Sequence, residues 1–214
     1  MRTSAPPRRT CLFGPITVDY DARVLSPRPW TLAQSVWAAE LARDRDHGDG
    51  LLELCAGAGH IGLAAAVLAD RDLVQVELDP VAAAYAAANA RRAGWGRRVE
   101  IRTAALQTAL RAGESFPIVL ADPPYLTTSA TARWPEDPLP AIDGGPDGLR
   151  VIRACLQVAA EHLAHGGCLL LQVAGAGQAT RVERVLQSNP RWGLRAGELR
   201  TIDADRAVLG IGRP

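Results

Sequence analysis

From Leu51 onward, short apolar runs alternate with longer stretches of helical spacing. A chain written this way buries its strands best in a mostly parallel sheet joined by crossover helices. Leu51 to Leu54, Leu73 to Glu77, Val99 to Arg102, Ile118 to Ala121 and Cys168 to Val173 read as five such strands. Helices are expected from about Gly59 to Leu68, from Leu149 to about His165 with Gly166-Gly167 closing it, and from Gln178 to Ser188. Another begins at Asp79, a good N-cap followed by Pro80, and ends near Ala93 and Gly94. Gly193 to Leu199 and Ala207 to Ile211, joined by the polar stretch Arg200 to Arg206, suit a terminal antiparallel hairpin.

Ahead of this pattern the sequence is less regular. The first fifteen or so residues are rich in Pro and Arg, lack periodicity, and read as a loose arm. Ile16 to Pro29 carries short β-prone pieces, Thr31 is placed to cap a helix running towards Arg43, and Asp44 to Gly50 reads as a polar turn. With 214 residues, 48% apolar and 22% charged, one folded domain is expected. The net charge of +1 argues against a strongly basic nucleic-acid surface, with Arg8-Arg9, Arg91-Arg92 and Arg97-Arg98 as local patches only. Cys11, Cys55, Cys155 and Cys168 lack metal-type spacing, which points to a reduced compartment. No apolar run is long enough for a bilayer and the N-terminus lacks a signal-peptide stretch, so a cytoplasmic protein without membrane contact is expected. Glu161, His162 and His165 lie at a helix C-terminus, where histidines suit the dipole, and no metal is expected.

Two segments carry chemistry. Between the first strand and its helix, Glu53-Leu54-Cys55-Ala56-Gly57-Ala58-Gly59-His60-Ile61-Gly62 is a small-residue turn whose backbone can approach a ligand closely. Glu77, ending the next strand, can accept hydrogen bonds from two ribose hydroxyls. Gly57, Gly59 and Gly62 also fit the dinucleotide fingerprint, so the turn alone reads either as a site for NAD or as one for S-adenosylmethionine. Glu53 can receive the ammonium of the latter, and Cys55 is expected to pack against the cofactor.

The second segment is Asp122-Pro123-Pro124-Tyr125, which follows the fourth strand at the same sheet edge. The Asp122 carboxylate and the Pro123 carbonyl can each accept one hydrogen of a planar NH2 group. Such a nitrogen has a delocalised lone pair, so holding it while it becomes pyramidal favours the transition state. Tyr125 can stack on a flat acceptor, and Trp134 lies in the Pro-rich loop from Leu126 to Ile142, long enough for a substrate lid.

These residues resemble the HemK family of glutamine methyltransferases and its close relatives, from about Val24 to the end of the chain. The resemblance implies a Rossmann-like class I methyltransferase fold, α/β, with a mostly parallel seven-stranded sheet, a terminal antiparallel hairpin and helices on both faces. It implies S-adenosylmethionine as cofactor. Residues 1–30 would form an arm and cofactor-covering segment and 31–214 the methyltransferase domain. Val24-Leu25-Ser26-Pro27-Arg28-Pro29-Trp30-Thr31 is similar to the segment that folds over the methionine moiety, and Glu53 to Gly62 to the cofactor motif. Carried over, cofactor contacts fall on Thr31, Glu53, Cys55, Ala56, Gly57, Gly59, Ile61, Glu77, Leu78 and Asp122, catalysis on Asp122, Pro123 and Tyr125, and acceptor binding on Pro124, Tyr125 and Trp134. Gly145 and Asp147 join the acceptor set because Asp143-Gly144-Gly145-Pro146-Asp147-Gly148-Leu149 resembles the family's Gly-Gly-x-Asp-Gly stretch.

The chain departs from the pattern in three places. Asp122 stands where the family usually has Asn, as in adenine-N6 and guanine-N2 methyltransferases. Ala104-Ala105 replace an Asp that commonly binds the adenine amino group. No counterpart of the helical N-terminal domain of many bacterial members is expected, which makes the chain similar to compact members that act with a partner protein; a partner or a homodimer follows as an expectation. A protein glutamine amide is the leading acceptor. A nucleobase amine and a small-molecule nitrogen come next, and an NAD-dependent oxidoreductase or a non-catalytic binding module are readings of other classes.

Overall fold

The computed structural model describes residues 6–43 and 50–214. Seven strands form one sheet, β3 (Leu51–Leu54), β4 (Leu73–Glu77), β5 (Val99–Thr103), β6 (Phe116–Ala121), β7 (Leu163–Val173), β8 (Arg195–Asp203) and β9 (Arg206–Gly212), in the order β5-β4-β3-β6-β7-β9-β8. The first five are mutually parallel, and β9 and β8 complete the sheet antiparallel. From β3 the chain runs outward to β4 and β5, then returns to the other side of β3 as β6. Such a reversal opens a crevice at the carboxyl ends of the two central strands. The expected seven-stranded class I methyltransferase architecture is the observed one.

Strand alternation assigns the two faces. Leu52, Leu54, Val119, Ala121, Leu169 and Leu171 pack with α5 (Arg150–His162) and α6 (Gly175–Gln187), whereas Leu51, Ile118, Leu120 and Leu170 meet α1 (Leu32–Arg43), α2 (His60–Ala69) and α3 (Pro80–Arg92). All six residues of β6 are buried, as a central parallel strand covered on both faces requires. Helix α3 starts as its sequence demands, with the Asp79 carboxylate accepting from the Val81 amide at 2.8 Å.

The N-terminal segment corrects the expectation of a loose arm. Residues 1–5 and 44–49, including most of the expected polar turn, lie outside the described residues. Arg9–Phe13 (β1) and Ile16–Tyr20 (β2) pair antiparallel across a two-residue loop. Gly14 opens that loop at φ 51, a conformation that suits a two-residue hairpin connection. Phe13, Ile16 and Val18 enter the core beneath α2 and α3. Asn89 binds Asp19 through both main-chain groups and donates to the Ala58 carbonyl at 2.9 Å, so the hairpin is tied to α3 and the glycine turn together.

Several boundaries also differ from expectation: β8 runs on to Asp203 through much of the stretch expected to join the hairpin, and α6 starts at Gly175 rather than Gln178. Thr31 does not cap α1; it closes a 3-10 turn over Pro29–Thr31, its hydroxyl donating to the Arg28 carbonyl at 2.8 Å. Helix α5 ends at His162 rather than near His165, because Leu163 already pairs with Phe116. Gly166 and Gly167 therefore lie within the irregular start of β7 rather than at a helix end.

Candidate active site

Parallel pairing of β3 with β6 sets Leu54 opposite Ala121. The turn from Cys55 and the segment from Asp122 therefore leave the sheet side by side. Cys55 adopts φ 58 and Gly59 φ 77, the sharp reversal that carries the chain from β3 into α2. A Cβ on Gly59 would lie 2.8 Å from Ala86 Cβ, so both dihedral and space require glycine there.

Beneath the turn, Glu53 is 2% exposed. Its carboxyl accepts from the Gly62 amide at 2.9 Å and from Gln75 Nε2 at 2.5 Å, and Gln75 also donates to the Gly59 carbonyl at 2.8 Å. Burial lifts the Glu53 carboxyl to about 8 against the pull of those two donors. Glu53 thus fastens the turn to the first turn of α2, and both its oxygens are engaged within the chain. Glu77, at the end of β4, accepts from the Gly57 amide at 2.7 Å and the Asp79 amide at 2.8 Å, bringing a carboxylate to the lip of the turn. Open space surrounds the point where a Gly57 Cβ would stand, and Leu78 beside Glu77 is 69% exposed. Ala56 and Ile61 are buried in the turn and the start of α2, and the Cys55 thiol lies 3.9 Å from that of Cys155 on α5.

Next to this turn lies a cavity of about 260 Å³. Its floor is Asp122 to Leu126, one wall is Leu25, Arg28, Trp30 and Thr31, and the opposite wall is the loop bearing Ala130, Arg133, Trp134 and Asp137. Ala174, after β7, and Asp205 and Arg206, from the β8–β9 hairpin, close it. Among the described residues the Asp122 carboxylate has no hydrogen-bond partner, and burial alone lifts it to about 7. Burial likewise raises the Tyr125 phenol. The structure thus gathers Thr31, Asp122, Pro123, Pro124, Tyr125 and Trp134 around one space, with the glycine turn and Glu77 adjoining rather than lining it.

Gly145 and Asp147 are not brought to the cavity. The Gly145 carbonyl accepts from the Thr128 amide at 3.0 Å, and Asp147 accepts from the Leu149 amide at 3.0 Å and Arg153 at 2.6 Å, so this stretch braces the loop from behind. Thr31 and Trp134 share the walls with residues outside the expected site set, Arg28, Trp30, Asp137 and Arg206. Arg28 grips Asp137 at 2.7 and 2.5 Å, and the Arg206 guanidinium stacks 3.7 Å from the Trp30 ring. These partners are 109 and 176 positions apart, and no local pattern marks either pair. Among the described residues no group of three or more His, Cys, Asp or Glu could hold a metal ion, and no helix is long and apolar enough to cross a membrane.

Comparisons with known proteins add the family. Residues 36–134 match a family described as "Conserved hypothetical protein 95". The chain is 34% identical to the release factor glutamine methyltransferase of Mycolicibacterium smegmatis over 74% of this chain and 57% of that protein. It is 30% identical to that of Caulobacter vibrioides over 94% of this chain and 71% of that protein. It thus spans little more than half the length of the first of these relatives and somewhat more of the second. The hMettl16 catalytic domain, solved in complex with a MAT2A 3'UTR hairpin, superposes with a TM-score of 0.71 at 14% identity, covering 93% of this chain and 75% of that one, a likeness of fold.

Proposed function

The chain belongs to the HemK-like family of class I methyltransferases, which includes the release factor glutamine methyltransferases, and on that premise we propose that it methylates a planar NH2 nitrogen, foremost a glutamine side-chain amide of a protein. The observation that carries this reading is the Leu54–Ala121 register, which sets an unpartnered Asp122 carboxylate and the Pro123 segment in a cavity directly beside the glycine turn.

The turn suits S-adenosylmethionine better than a dinucleotide. A pyrophosphate is normally held by the free amides at a helix N-terminus, yet the Gly62 amide of α2 is already engaged by Glu53. Asp122 and Glu77 also raise the proton affinity of the buried Glu53 carboxyl, so three acidic groups share this edge, which disfavours phosphate. Glu77 and the open backbone around Gly57 would hold the adenosine side, with Thr31 and the Arg28–Trp30 wall covering the methionine side. When bound, this cofactor supplies an electrophilic methyl on a sulfonium.

The chain's own groups do the rest. Asp122 and the Pro123 carbonyl accept the two hydrogens of the NH2 group, which fixes its orientation and lets the nitrogen become pyramidal as it reacts. The ionised form of Asp122 is the accepting one, and it takes up the proton released as the new bond forms. Tyr125 supplies a face for the planar acceptor, and the Trp30 and Trp134 walls exclude water. A nucleobase amine is the second reading, favoured by Asp rather than Asn at position 122.

Incubation with methyl-labelled S-adenosylmethionine and either a purified bacterial release factor or a mixed RNA fraction decides between them. Label in the release factor, at a glutamine by peptide mass analysis, supports the first reading. Label in RNA replaces it with the second, and tighter calorimetric binding of NAD than of S-adenosylhomocysteine defeats both.

A further inference from the structure

Gln34 on α1 has no exposed surface, and its amide sends one N–H to each of two neighbouring strands. Nε2 donates to the Ala121 carbonyl at 3.1 Å and to the Leu170 carbonyl at 2.9 Å. Ala121 is the last residue of β6 and Leu170 lies one residue before its partner in β7, so a single amide ties the end of β6, which leads to Asp122, to the part of β7 that runs on to Val173 and Ala174. The Ala121 carbonyl oxygen belongs to the same rigid peptide plane as the Asp122 Cα. Holding that oxygen therefore fixes where the Asp122 side chain and the Pro123 carbonyl begin. Thr31, three residues earlier in the 3-10 turn that leads into α1, lines a wall of the same cavity.

We propose that Gln34 is a positioning residue: through the Ala121 carbonyl it aims the Asp122-Pro123 pair at the acceptor nitrogen. This rests on the reading that Asp122 and Pro123 hold that nitrogen. Gln34→Leu removes both N–H donors at similar volume, and Gln34→Met does so with an unbranched chain should the leucine variant fold poorly. Val182→Ala, a core truncation on α6, measures what general loosening alone does.

The experiment combines crystal structures of wild type and variants with turnover on a purified release factor and binding of S-adenosylhomocysteine. Expected are a shift of the Asp122 carboxylate by about 1 Å relative to β3, a fall in kcat of about 10²-fold, and a cofactor-product Kd changed by less than about threefold. The Val182→Ala control is expected to leave Asp122 in place. Asp122 fixed to within about 0.3 Å in the Gln34 variants, or a loss of kcat matched by the control, overturns the proposal. If the wild type labels no release factor, the proposed acceptor fails, while the displacement of Asp122 still decides whether Gln34 positions it.

Discussion

The Arg28 guanidinium and the Asp137 carboxylate meet at 2.7 and 2.5 Å, joining the segment before α1 to the loop that follows the Asp122-Pro123-Pro124-Tyr125 turn. Arg28 is one-quarter exposed and Asp137 less than one-tenth, so the pair is a partly dry clasp across the cavity mouth. Arg28→Ala leaves Asp137 without its partner and frees the loop. KM for the acceptor should rise about tenfold with kcat within a few-fold, and Arg28→Lys should restore little, because a lysine cannot make the two-pronged contact. Steady-state kinetics on the two variants checks this.

A second expectation concerns Gly62. Alanine in a helix ordinarily stabilises relative to glycine by up to about 1 kcal/mol. At position 62 a Cβ would lie 2.8 Å from Glu53 Cδ and 3.0 Å from Glu53 Cβ, with Glu53 Oε2 closer still. Glu53 cannot give way without losing Gln75 and the Gly62 amide. Gly62→Ala should therefore destabilise by about 1–3 kcal/mol in denaturant unfolding, opposite in sign to its helix propensity.

A third concerns pH. Burial raises Asp122 from 3.8 to about 7, so the folded protein holds a proton there that the unfolded chain has released. The stability this confers is complete below about 4 and is lost as pH climbs through about 7. Asp122→Asn removes the dependence, so the Tm difference in favour of the variant should widen from pH 5 to pH 8. On the proposed reading activity runs the other way, since the ionised carboxylate would be the accepting form. The rate should rise with pH to a plateau above about 7, with the inflection moved lower when the cationic cofactor is bound.

Local patterns were readable wherever they were continuous in the chain. Apolar runs located β3 to β7, and Asp79-Pro80 marked the start of α3 to the residue. The glycine turn and Asp122-Pro123-Pro124-Tyr125 could each be recognised because every residue that shapes them is a sequence neighbour. The β1–β2 hairpin was harder, since its five-residue strands alternate imperfectly and are held by Asn89, about seventy positions away. Its one local signal was Gly14-Pro15 between two β-prone pieces. The long-range pairs around the cavity had no local signal: Arg28 with Asp137 and Trp30 with Arg206 in its walls, and Gln34 with Ala121 behind them, become neighbours only once the sheet has formed. Gly145 and Asp147 belong to a recognisable stretch, but their polar groups are spent on Thr128, Leu149 and Arg153 behind the loop.

In the proposed function, Asp122 faces the acceptor rather than the cofactor. Paired measurement of methyl transfer to a release factor and of S-adenosylhomocysteine affinity in Asp122→Ala tests it most directly. The expected result is a loss of kcat of at least about 10²-fold with Kd within about threefold of wild type. Weakened cofactor binding with turnover preserved at saturating S-adenosylmethionine would contradict it.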